Sequence, residues 1–336
     1  MVAQYPTVSV LMTAYKGNDY LLPAINSILD QTYKDLELVI VLDPHEEDIC
    51  KERIEKLDDP RIYLIKNAKR EGLVRSRNIG LRSLRGRYIA IMDSDDISEL
   101  ERIEKEVDFL EKHPDHALAG SPCDIIDESG DVIKKGEEGL NVEQLYYNFL
   151  FANQFPHSSV MFRSEVVKKA GSYDERLIVG EDYDLYLRIM ENGRAYMFPE
   201  VLVRWRRHEN SATSGSRDIK ESDVFRIIKE NIRRSLGVDI SDGDLRLYVD
   251  HSVRGYSLGS IVSSLNTLER INIKFIENAP EWMDRALLKK ISKKKFNSLL
   301  TGQIVSNKNL TSIGLLAKNI RCWPSLMAHL IRGRYD

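Results

Sequence analysis

Short apolar runs and helical patterns alternate along the first third of the chain. "VSVLM" (8–12), "LELVIVL" (36–42), "RIYLI" (61–65) and residues 87–92 are mostly apolar, and each predicts a buried strand. Between them apolar residues recur at helical spacing. Leu21, Leu22, Ile25, Ile28 and Leu29 mark a helix over 19–30, and Ile49, Ile54 and Leu57 mark one over 46–57. Further helices are expected over 71–84 and 99–113, the second closed by Pro114. Mostly apolar strands alternating with helices predict an α/β fold: a mostly parallel, Rossmann-like sheet flanked by helices.

After residue 114 the pattern changes. It predicts a strand and a hairpin around Ser129-Gly130, a helix over 141–151, a strand over 157–163, helices over 165–170 and 181–192, and strands in "RAYMFP" and "VLVRWRR". From about Asp218 the chain is nearly all helical in pattern, and the small polar residues of "NSATSGSRD" place a boundary near Gly215. The organisation expected is an α/β domain over 1–215, with halves 1–114 and 115–215, followed by a mostly helical region over 216–336.

Charge adds an asymmetry. From Asp284 onward there are eleven Lys/Arg and two Asp/Glu, so the tail carries +9; with a net charge of −3 overall, the preceding residues carry −12. An acidic body argues against a nucleic-acid partner. The three cysteines, Cys50, Cys123 and Cys322, show no disulfide or metal spacing, which fits a reducing, cytoplasmic setting. The N-terminus lacks a signal-peptide pattern, and no run of about 18 apolar residues predicts a membrane-spanning helix.

In parallel sheets ligands bind beyond the carboxyl ends of the strands. Thr13 follows the first strand, Asp43 the second, and Asp93, Asp95 and Asp96 the fourth, so all face one rim. Three acids within four positions repel one another unless something neutralises them, and a divalent cation with a substrate phosphate does this. A helix N-cap at Asp96 or Ser98 explains one acid and not three. A calcium loop would use Asp93, Asp95 and Glu104, but its sixth position requires Gly and holds Ser98. The loop after the third strand carries Lys69 and Arg70, which face the same rim and suit a diphosphate. Arg75, Arg82 and Arg85 lie along one side of the next helix. Glu181, Asp182 and Asp184 open a helix, where the macrodipole favours acids and where one of them is placed to serve as a general base. His208 follows a strand and two arginines.

Taken in order, "VSVLMTAY", "AINSILDQTYKDLELVIVLD", "EGLVRSRNIG", "GRYIAIMDSDD", "HSSVMFRSEVV", "GSYDERLIVGEDYDLYLRI" and "RRHENSATS" resemble a family 2 glycosyltransferase of the GT-A fold over about residues 7–214. The resemblance implies an inverting transferase that uses a nucleotide-diphosphate sugar, with a UDP-sugar favoured, and Mn2+ or Mg2+. It implies donor-nucleotide contacts from Thr13, Ala14, Tyr15, Asp43, Arg75, Asp93 and Ser94, with Asp93-Ser94-Asp95 as the D-x-D motif and Asp95 as the direct metal ligand. His208 matches a position that joins the metal or diphosphate site in some members, and Lys69, Arg70 and Arg207 are placed for the diphosphate. Asp182 is implied as the base of the E-D motif, with Glu181, His157 and Ser158 on the acceptor side. Two departures stand out: a single Asp43 before Pro44, where the family often has paired Asp, and Lys16 in place of the usual Asn.

The implied acceptor is a saccharide or lipid-linked saccharide, in cell-surface polysaccharide synthesis of the bacterial type. "RALLKKISKKKFNSLL" and the segment after it mix Lys/Arg with Leu, Ile, Trp and Phe, a composition that suits either peripheral contact with an anionic membrane or a helical cap with a solvated basic face. Of the rival functions, a sugar-phosphate nucleotidyltransferase would need a Gly-rich basic loop after the first strand, and "TAYKGNDYL" has one Gly. A non-catalytic sugar-binding module would not need both the acid triad and Glu181-Asp182.

Overall fold

The computed structural model describes residues 5–15, 19–44, 49–208, 217–250 and 257–306. Lys16, the expected boundary at Gly215 and the tail beyond 306 lie outside these residues. Cα proximity divides the chain into two compact units: Met1–Val142 with Asn153–Asp223, and Glu143–Ala152 with Val224–Asp336.

In the first unit β1 (Val8–Ala14), α1 (Leu21–Leu29), β2 (Leu36–Leu42), α2 (Ile49–Glu55), β3 (Ile62–Lys66), α3 (Leu73–Ser83) and β4 (Tyr88–Asp93) follow the expected alternation. Each strand of β1, β2 and β4 is buried almost throughout, because helices cover both sheet faces. Next come β5 (Ile97–Ser98), α4 (Arg102–Lys112), β6 (His116–Gly120), β7 (Cys123–Ile126) and β8 (Val132–Lys134); further on come β9 (Met161–Arg163), α6 (Ser164–Ala170), α7 (Glu181–Met190), β10 (Arg194–Met197) and β11 (Val203–Arg206). The main sheet has seven strands in the order β10-β6-β9-β4-β1-β2-β3, and only β9 runs antiparallel to its neighbours. The mostly parallel α/β sheet is therefore as the pattern predicts. A second, four-stranded sheet runs β5-β11-β7-β8.

Residues 157–163 differ from expectation. The predicted strand begins only at Met161, and His157–Ser159 form a 3-10 turn. Ser159 closes it: both its N–H, at 3.0 Å, and its Oγ, at 2.8 Å, donate to the Pro156 carbonyl. The turn aims His157 and Ser158 at the end of β4 instead of alternating them across a sheet.

Behind β4, Arg102 and Glu106 are fully buried, with Nε 3.1 Å from Oε1, and Arg102 Nη2 donates to the carbonyls of Ile91 and Val160. Burial pushes the Glu106 carboxyl up to about 7, against the pull of Arg102. In the unfolded chain it ionises near 4.5, so between these values the folded state binds more protons and stability falls as pH rises. Replacing Glu106 with Gln removes this slope. Urea unfolding should show the variant gaining stability relative to the native protein from about pH 5 to 7.

The second unit is helical: α5 (Val142–Phe149), α8 (Arg217–Leu236, which begins in the first unit), α9 (Asp242–Asp250), α10 (Leu258–Asn278) and α11 (Arg285–Ser306). The sequence pattern assigns 141–151 to the α/β part, whereas all but its first two residues belong with these helices. Its apolar face explains the placement: the Tyr147 hydroxyl donates to Asn272 on α10, and Tyr146 packs edge-on against Trp282.

Candidate active site

The end of β4 holds the three acids, and each has a different set of partners. Asp96 is buried. Its Oδ2 accepts from the Ser158 hydroxyl, and its Oδ1 accepts the Arg206 backbone N–H at 2.8 Å. Burial, with the charges of Asp95 and Asp93, pushes its carboxyl well above the usual range. Asp96 thus ties β4, β11 and the 3-10 turn together. Asp93 is its opposite. Its Oδ1 lies 3.0 Å from Arg77 Nη2 and 3.1 Å from His157 Nδ1, and its N–H donates to Ser158 Oγ. Burial opposes its ionisation, but the positive charges of His157 and Arg77 outweigh this and hold it well below the ordinary range. Asp95 keeps less protein charge around it. Its Oδ2 is 2.9 Å from His208 Nε2, while burial and then the Asp93 charge push its carboxyl up. Of the three acids only Asp93 has cationic partners that hold its carboxyl down; Asp95 and Asp96 are still pushed up by the charge of their neighbours.

His208 reaches this point because β11 pairs antiparallel with β5, so the chain leaving β11 returns beside the acid turn. Arg206, buried on β11, fixes that turn: Nε donates to the Asp95 carbonyl at 2.9 Å and Nη1 to those of Asp127 and Glu128. Its guanidinium lies over the Tyr20 ring, 4.6 Å from the centroid, and that ring also neighbours His208.

Arg77, on the buried face of α3, joins the two halves of the site. Nη1 pairs with Glu181 and Nη2 with Asp93, so one guanidinium bridges the end of β4 and the start of α7. Asn78, beside it, exchanges two hydrogen bonds with the Tyr173 backbone, which fixes α3 against the segment ahead of α7. The Tyr173 hydroxyl in turn is 3.1 Å from His157 Nε2. Gly180, at φ +78, makes the left-handed turn into α7 that an L side chain would strain. Asp182 is half-buried. Asn153 Nδ2 donates to its Oδ2 at 2.9 Å, and the Tyr183 N–H donates to its Oδ1. Asn153 is itself anchored by the Phe155 N–H.

The remaining candidates are dispersed around this centre. Thr13 pairs in register with Asp93, and Ala14 with Leu42. Asp43 is buried and committed to its own loop, accepting from Asn67 Nδ2 and from the N–H groups of Glu71 and Gly72. Gly72, at φ +86, stands at the N-cap of α3. Arg70 lies over Tyr15, 4.7 Å from the ring centroid. Arg75 is exposed and paired with Glu175, and exposed Lys69 is 3.9 Å from Glu71. Arg207 is exposed, with its N–H donating to the Ile126 carbonyl. None of these four cations bonds to Asp93, Asp95 or Asp96, and Ser94 sits in the turn between the first two. Glu104, the last ligand of a calcium loop, instead accepts from Thr32. Sequence reasoning missed Arg77, Arg206, Asn153 and Tyr173. No local pattern singles out Arg77 within α3, which also carries Arg75 and Arg82; a buried arginine needs a buried acid, and Glu181 is distant in sequence.

Asp95 and His208 fit a divalent cation. Their oxygen and imidazole donors are already adjacent, as two ligands of one ion would be, and among the described residues Asp95, unlike Asp93, pairs with no arginine. A second group, His113, Asp115 and His116, brings its donor atoms within 4.8 Å. It lies at the start of β6, which runs in the same direction as β4, so it is at the opposite edge of the sheet, and Arg194 holds Asp115 at 2.7 Å.

Residues 9–169 match the family described as Glycosyl transferase family 2. An uncharacterized glycosyltransferase of Methanocaldococcus jannaschii is 38% identical over 208 residues, covering 60% of this chain and 71% of its own. The chain belongs to glycosyl transferase family 2. The putative glycosyltransferase EpsE of Bacillus subtilis is 33% identical over 243 residues, 70% of this chain and 85% of its own. The amylovoran biosynthesis glycosyltransferase AmsE of Erwinia amylovora is 32% identical over 202 residues, 59% and 75%. Among solved structures, S. aureus TarS 1–349, crystallised with UDP-GlcNAc, superposes with a TM-score of 0.60 over 90% of this chain and 92% of its own, at 16% identity. The glycosyltransferase therefore has the GT-A fold implied by its motifs. Among the described residues no helix is long and apolar enough to cross a membrane.

Proposed function

We propose that this glycosyltransferase moves a sugar from a nucleotide-diphosphate sugar to a hydroxyl of a saccharide or lipid-linked saccharide, with inversion, in cytoplasmic synthesis of a surface polysaccharide. The observation that carries the reading is the bridge of Arg77 between Asp93 and Glu181, which sets a nucleotide-side carboxylate and the Asp182 helix at one rim. AmsE's role in amylovoran biosynthesis supports the polysaccharide reading, and the UDP-GlcNAc bound to TarS makes that sugar nucleotide the first donor to assay.

Asp95 and His208 would hold a divalent cation, Mn2+ or Mg2+, which supplies charge neutralisation for the departing diphosphate. Asp93, kept ionised by Arg77 and His157, presents its second oxygen towards the donor's ribose. Asp43 acts on the nucleoside indirectly, by shaping the loop of residues 67–72. Thr13, Ala14, Tyr15, Ser94 and Arg75 border the nucleotide, and Lys69, Arg70 and Arg207 can swing to the phosphates from exposed positions. Asp182, steered by Asn153, takes the proton from the acceptor hydroxyl as its oxygen bonds to the anomeric carbon and the carbon–phosphate-oxygen bond breaks. His157, Ser158 and Glu181 hold the acceptor side of the rim in place. A single displacement from the opposite face inverts the anomeric centre.

Calorimetric titration with UDP tests the metal assignment. Asp95→Ala should abolish the enhancement of nucleotide binding by Mn2+, while Asp182→Ala retains it. An Asp95→Ala protein that still binds more tightly with Mn2+ would refute the assignment.

A further inference from the structure

The helices of the second unit differ in how they mix charge. α8 carries Asp and Glu among its Lys and Arg, and α10 pairs Lys274 with Glu277 at 3.0 Å. α11 has no Asp or Glu in its 22 residues. Leu288, Ser292, Phe296 and Leu299 form its buried side, with Leu288 packed against Ala279 and Met283. Arg285, Lys289, Lys290, Lys293 and Lys294 are all exposed. At about 100° and 1.5 Å per residue, these five cations occupy about half the helix circumference along roughly 14 Å. Among the described residues the four lysines make no ion pair, and Arg285 donates to the Ala279 carbonyl. Lys295 stands apart, half-buried on the flank, where burial lowers its affinity for a proton.

An ordinary solvated helix face intersperses both signs, which limits self-repulsion. A face of one sign stores that repulsion until an anionic surface relieves it. We infer that the exposed face of α11 docks on the anionic headgroups of a lipid bilayer. Two observations favour a bilayer over a polynucleotide. The chain continuing from α11 interleaves Leu310, Ile313, Leu315, Leu316, Ile320, Trp323 and Leu326 with Lys318 and Arg321, a composition suited to the boundary between headgroups and acyl chains. The residues before Asp284 carry a charge of −12, which a polyanion threading along the protein would meet. The inference rests on the proposed function in one respect only: a lipid-linked acceptor would be presented at such a surface.

The test is flotation of the full chain with vesicles of phosphatidylcholine alone or mixed with phosphatidylglycerol. Each basic residue at an anionic surface contributes roughly fivefold. The chain should therefore bind the mixed vesicles, bind the neutral ones weakly, and lose binding as salt rises. Lys→Gln at Lys289, Lys290, Lys293 and Lys294 should bind several-hundredfold more weakly at unchanged melting temperature, and K289E/K290E/K293E/K294E more weakly still. Equal binding by all three proteins, equal binding to neutral vesicles, or preferential capture by an RNA competitor would overturn the inference. The readout needs no sugar transfer, so Asp182→Asn should float like the native chain; loss of transfer without loss of flotation leaves this inference standing apart from the proposed chemistry.

Discussion

Asp182→Asn is expected to lower kcat for sugar transfer by about 10²–10⁴-fold, the range typical of a positioned general base, with donor binding nearly unchanged. The substitution keeps the shape of the side chain, but an amide accepts at one position only, so one of the hydrogen bonds from Asn153 Nδ2 and the Tyr183 N–H is lost. It removes the ability to take a proton. Helix α7 should stay in place because Glu181, not Asp182, is the residue tied to Arg77. Steady-state kinetics with a soluble acceptor, beside nucleotide titration, separates the two effects. A variant retaining a tenth or more of native kcat would mean that the proton leaves elsewhere. Asn153→Ala should weaken transfer less, by loosening the base without removing it.

The second large effect is expected at Arg77. Removing it leaves Asp93 and Glu181 as two carboxylates without their shared cation in a site from which water is largely excluded. Breaking a buried ion pair from one side costs about 3–5 kcal/mol, so Arg77→Met should lower thermal stability severely. Arg77→Lys is the more informative variant. It keeps the charge, but an ammonium lacks the planar fork that reaches two acids lying in different directions. The Lys protein should fold and bind nucleotide, yet transfer at a small fraction of the native rate, because α7 is no longer held in register with the end of β4. Guanidinium ion added to Arg77→Ala should restore part of the rate, and sodium at equal ionic strength should not. A residue acting only as packing would show no such selectivity. Wild-type kcat in Arg77→Lys would dissolve the bridge as an element of the mechanism.

Together these variants separate the two ends of the site. Asp95 and His208 stand where the leaving group would be neutralised, Asp182 where the acceptor would be activated, and Arg77 between them. The same division accounts for the three acids at the end of β4. They are chemically unlike one another: Asp93 is kept charged by Arg77 and His157, Asp96 is pushed strongly toward its neutral form by burial, and Asp95, beside His208, is pushed up by burial and the Asp93 charge.

Much of this was legible in the chain before folding was considered. The order of strands and helices through β4 follows from local periodicity, because a strand buried on both faces must be mostly apolar and a covering helix apolar at every third or fourth position; α4 is legible in the same way, and the two-residue β5 before it is not. The shared rim of Thr13, Asp43 and the acids follows from the same pattern, since parallel strands end on one side. The segment at 157–163 was misread for a local reason: "SSVMF" resembles a strand, but Ser159 satisfies the Pro156 carbonyl and closes a turn. Helix 141–151 was read correctly in type and grouped with the wrong partners, because its apolar face says only that something covers it. Its partner, Asn272, lies 125 positions away.

The sequence by itself determined the mostly parallel α/β layout and the delivery of acids to one edge, because both depend on spacing within a few residues. Only the tertiary structure decided what those acids are. Which of the arginines on α3 is buried, which acid it meets 104 residues later, and which carboxylate burial pushes toward its neutral form depend on long-range packing and local dielectric. Neither quantity is encoded within the span of a single helix or strand.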